Sequence, residues 1–104
     1  MANLELVNRI ENIELERIGT PPVHVLIKVT GSVNRNGFQM PSLIIKSTTP
    51  DAQGSLTFFF AAEPPDGGNP GNPIPIVARR SQDNLRGVTK LVFVAATNQM
   101  ESNL

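Results

Sequence analysis

Apolar positions alternate with polar ones over Val23–Val29: Val23, Val25, Ile27 and Val29 share one face, and His24, Leu26, Lys28 and Thr30 the other. Period-two alternation with β-branched residues predicts a half-buried strand, here continuing to Val33. Asn34-Arg-Asn-Gly37 follows, and Asn36-Gly37 predicts a hairpin turn because both residues tolerate positive φ. The return strand would be Phe38–Ser47, with Pro41 placing an edge or a bulge in it because proline has no amide to donate. Thr49–Gly54 reads as a turn.

Two later runs differ in kind. Leu56–Ala62 and Leu91–Ala96 are apolar on both faces, as central or doubly covered strands are. Between them Ile74–Arg80 predicts another strand and Ser81–Gly87 a turn, and Val88–Thr97 is the last predicted strand. The polar tail from Asn98 to Leu104 is expected to fray. The first residues fit two patterns. On a helical wheel Leu6, Val7, Ile10 and Ile13 share a side, whereas Ile13 and Leu15 alternate with Glu14 and Glu16. The reading adopted is a strand over Asn12–Ile18 preceded by a short helical turn.

Short strands separated by turn residues predict an all-β fold: a small β-sandwich or compact barrel of about five to seven mainly antiparallel strands. At 104 residues the chain is one domain, large enough to hold a single core without disulfides or metals.

Composition narrows the chemistry. There is no cysteine, which excludes disulfide scaffolds, zinc–thiolate sites and thiol nucleophiles. With one histidine, His24, no transition-metal site or cofactor is expected. Nine basic and nine acidic residues give a formal net charge of zero, so no nucleic-acid partner is expected. No signal peptide or run of membrane-spanning length is visible, and the expectation is a cytoplasmic protein without a membrane partner. The absence of Trp and Tyr removes the side chains that dominate many sugar sites and interface hot spots.

The segment Glu63–Pro75 holds five prolines, three glycines and two asparagines in thirteen residues. It is neither helix nor interior strand. Irregular segments of this length are either recognition loops or connectors. Arg79 and Arg80 with Arg86 and Lys90 form the densest basic group, opposed by Asp83 and Asn84; if Arg79 faces the core side, Arg80 faces solvent. Guanidinium groups hold planar anions bidentately, and charged strand ends also simply protect an edge. The candidate binding residues are therefore Pro65, Asp66, Gly67, Gly68, Asn69 and Asn72 of the loop, with Arg79, Arg80 and Arg86. No catalytic or metal-binding residue is assigned. Phe58-Phe59-Phe60 reads as core, since no basic residue is interleaved with the rings.

The leading expectation is a non-enzymatic binding or interaction module whose 63–75 loop contacts a protein partner or small ligand. Self-association into a homo-oligomer is also expected, because two strands apolar on both faces need more cover than so few strands provide. The alternatives are a small hydrolase or lyase using His24 with a loop carboxylate, and a structural subunit of a larger assembly.

Overall fold

A computed structural model describes residues 4–19, 24–46, 49–65, 71–83, 85 and 87–103. Eight strands run through them: β1 (Glu5–Leu6), β2 (Arg9–Ile18), β3 (His24–Val33), β4 (Gln39–Ile45), β5 (Ser55–Glu63), β6 (Ile74–Gln82), β7 (Lys90–Val94) and β8 (Gln99–Asn103). There is no helix among the described residues, and the strands form two sheets packed as a sandwich.

The two runs apolar on both faces are neighbours at the centre of the five-stranded sheet. β5 and β7 pair in parallel from Ser55↔Lys90 to Phe59↔Val94, whereas the other pairings among the described strands are antiparallel. β4 flanks β5 on one side and β8 flanks β7 on the other. β1 pairs with the far end of β5, and the Val7 carbonyl just after it accepts from the Ala96 amide beyond the end of β7. β2, β3 and β6 make the second sheet.

The core lies between the sheets. Phe58, Phe60 and Phe93 are fully buried, and Val25, Ile27 and Val29 close over them from β3. The Phe58 and Phe93 rings stack with centroids 5.4 Å apart. At one open edge Arg80 reaches from β6 to β4, donating from Nη1 to the Leu43 carbonyl at 2.9 Å. At the other, Asn98 clasps the start of β2: its Oδ1 accepts from the Ile10 amide at 2.9 Å and its Nδ2 donates to the Ile10 carbonyl at 3.0 Å.

Three expectations are corrected. Asn36-Gly37 does not close a hairpin, because β3 and β4 lie in different sheets; only Gly37 takes positive φ (101°), and the turn is a corner between the sheets. The N-terminal segment is strand throughout its described elements, β1 and then β2 from Arg9, with no helical turn. The tail from Asn98 does not fray: Gln99–Asn103 is β8, antiparallel to β7, with Met100 directed inward against the core. The Pro41 expectation matches an edge strand whose register shifts between Gln39 and Ser42, with Met40 at φ 51°.

The turn into β5 is organised by Asp51. Its Oδ1 accepts from the Ser55 and Gln53 amides, both at 2.9 Å. Those bonds, Ser55 first and Gln53 next, hold the carboxyl below its ordinary value, with a smaller pull from Lys90. Because the folded state lowers this pKa, the stabilisation is present above the unfolded-state value and is lost as pH falls through the folded one. Asp51→Asn keeps an acceptor but does not titrate. The urea midpoint of the native chain should therefore exceed that of D51N at neutral pH, and the gap should narrow as pH falls below the ordinary carboxyl value of about 3.8. A gap independent of pH would show that the charge adds nothing to the turn.

Candidate functional site

The described members of the expected binding set, Pro65, Asn72, Arg79 and Arg80, do not form one cluster. Asp66, Gly67, Gly68, Asn69 and Arg86 lie outside the described residues. Pro65 and Asn72 lie at the end of the sandwich where β3 turns into β4. A side chain on Gly37 would meet Pro65 at 3.0 Å, and the Gly71 amide donates to the Asn34 carbonyl at 2.8 Å. Both described ends of the loop are thus anchored to the inter-sheet corner. Beside it Arg35 pairs with Glu5 at 3.2 Å and lies over the Phe38 ring at 5.4 Å, lining a recess of about 260 Å³.

Arg80 lies six residues along β6 from Ile74, about 20 Å at roughly 3.3 Å per strand residue. Arg79 and Arg80 have opposite orientations. The phase is the reverse of the one that would put Arg79 toward the core: Arg79 is exposed, whereas Arg80 is half-buried, with its guanidinium 5.5 Å from the Phe58 ring centroid and its Nε bonded to Gln82. Arg80 therefore braces the sandwich edge. Arg79 is the register partner of Lys28, itself 3.5 Å from Glu14, on the outward face of the three-stranded sheet. A groove of about 530 Å³ runs there over the Leu15–Ile27–Arg80 row. Its flanking charges are side-chain rows of Glu14, Lys28 and Arg79, and among the described residues no buried side-chain polar atom lacks a hydrogen-bond partner.

A different surface gathers the exposed apolar side chains. Of the five large hydrophobic residues most exposed among those described, four belong to the five-stranded sheet or its edges: Leu4 (47%), Leu6 (39%), Met40 (71%) and Ile44 (37%). Register and alternation place Leu6 beside Ala61, and Ile44, Phe59 and Val94 in one row across β4, β5 and β7. The next row runs Lys46, Thr57, Val92, Glu101, since the Lys46 amide donates to the Thr57 carbonyl and Val92 pairs with Glu101. This is the outward face of the sheet, and no described element lies across it. The doubly apolar strands signalled it in the sequence. The contributions of Leu4, Leu6 and Met40 were not legible, because they depend on β1 joining β5 and on the bulge in β4.

His24 sits on the outward face of β3 opposite Ile18 and makes no hydrogen bond or ion pair with a described carboxylate. Among the described residues no group of three or more His, Asp or Glu side chains is placed to hold a metal ion, and no helix is long and apolar enough to cross a membrane. No family model, curated protein or solved structure matches the chain.

Proposed function

We propose that the protein is a non-enzymatic interaction module that presents the outward face of its five-stranded sheet to a protein surface. The observation that carries this reading is the concentration of exposed large apolar side chains on that sheet. Contiguous exposed apolar surface on a small domain marks interaction sites, because water contact there is costly and a partner relieves it. The rim supports the same reading, with Gln99, Glu101 and Lys46 at the flanks of an apolar centre, the anatomy of a protein interface.

The test uses three baits: the native chain, Val94→Glu, and a chain with residues 66–72 replaced by a Gly-Ser link. A protein retained from native cell extract by the native and loop-replaced chains and lost by V94E is the expected result. Retention by all three would overturn the reading. Loss with the loop-replaced chain alone would favour the second reading, in which the anchored 63–75 loop is the contact element. That alternative draws its support from the Pro65–Gly37 contact and the Gly71–Asn34 bond, which hold its ends in place.

A further inference from the structure

The four strands carrying the apolar face are ordered β4–β5–β7–β8, so a line between β5 and β7 divides them evenly. If a second copy packs face to face about a two-fold axis along that line, β4 of one copy lies over β8 of the other, and β5 over β7. Each row of side chains then meets the same row reversed. In the row Lys46, Thr57, Val92, Glu101, the ends carry opposite charge, so Lys46 of each copy meets Glu101 of the other. In the neighbouring row Phe59 of each copy meets Val94 of the other. No described side chain forms an ion pair with Lys46, whereas Glu101 is 3.4 Å from the half-buried Lys90 on its own copy and would be shared with Lys46 of the other.

From this match we infer that the occupant of the face is a second copy of this chain, joined as an isologous dimer with the axis between β5 and β7. The inference rests on the interaction-module reading and names its partner. A sheet packed on a sheet with strands nearly aligned is an ordinary packing mode, and a two-fold interface must be self-complementary, as these rows are. A formal net charge of zero leaves no long-range repulsion between copies. The area sets the strength. Three to four strands at about 4.8 Å spacing and about six residues of length give on the order of 300 Å² per copy, well under the roughly 800 Å² of a standard interface. The dimer is thus a weak and reversible one.

Sedimentation equilibrium on the full chain, from about 1 μM to about 1 mM, tests this. The native chain should pass from monomer to dimer and stop there. Lys46→Glu and Glu101→Lys should each weaken the dimer about tenfold or more, and the double variant K46E/E101K should return to within a few-fold of native. Val94→Glu should abolish association while keeping the native circular dichroism spectrum. A native chain that stays monomeric throughout overturns the inference. So does a dimer indifferent to V94E, or one in which the double reversal does not recover the loss of the singles. Failure here is separable from failure of the module reading: a monomer whose protein partner is still lost by V94E leaves the face as the docking surface and removes only the second copy.

Discussion

Truncating Phe58 to alanine should cost about 3–5 kcal/mol of unfolding free energy, a large share of the roughly 5–15 kcal/mol that holds a domain of this size. The ring is fully buried in β5, stacked on Phe93 of the parallel neighbour at 15° between planes, and covered by the Arg80 guanidinium. Removing it leaves a void between two sheets whose backbones are held by their own ladders, so collapse into the space is limited. It also strips a half-buried cation of its aromatic face, leaving Arg80 with the Leu43 carbonyl and Gln82. Urea denaturation measures the loss, and Phe58→Leu, which retains most of the volume, should lose clearly less. A cost under about 1 kcal/mol for F58A would mean that the stack is not central to the core.

That burial was legible in the sequence, and the reason it was legible explains what was not. Phe58 lies in a run apolar on both faces, a signal strong enough to fix both the strand and its central place. The same run exposed a surplus: Phe59 points away from the core with no sheet to cover it and stays half-buried, and the apolar outward face follows from that. β8 gave no such signal. Gln99, Glu101 and Asn103 face solvent and only Met100 is an apolar inward residue, so a flanking strand looks like a tail until its partner is known. Asn36-Gly37 misled for a related reason. A turn propensity describes how the chain reverses, and not whether the strand it leads into stays in the same sheet. The phase of Arg80 depends on a carbonyl 37 residues away at Leu43, which no local pattern contains. The candidate loop was legible as irregular chain, but its anchorage to the Asn34–Gly37 corner is a long-range contact.

Gly31→Ala should be destabilising by about 3 kcal/mol, the upper part of the range for added volume in a packed interior, although the same change in an ordinary strand would be favourable. Gly31 lies in β3 between Ile10 of β2 and Ile76 of β6. A Cβ there would collide with the Arg9 carbonyl oxygen and come within 2.8 Å of the Phe60 ring. A rotamer change cannot relieve this, because one obstacle is backbone. Arg9 is where the chain, having left β1 in the five-stranded sheet, enters the three-stranded one, and the register shift between Ile10 and Asn12 follows at once. The close approach that glycine permits is therefore what lets one continuous segment serve both sheets. It also bears on the surface: β1 carries Leu6 onto the outward apolar face, and the Ala96–Val7 bond holds that position. The control is Gly71→Ala, where a Cβ meets nothing within 4 Å and the change should stay within about 0.5 kcal/mol. If G31A unfolds at the native urea concentration, the tight crossing at Arg9 is wrong. If it is destabilised and also dimerises more weakly at temperatures where it remains folded, the crossing and the apolar face are coupled through β1.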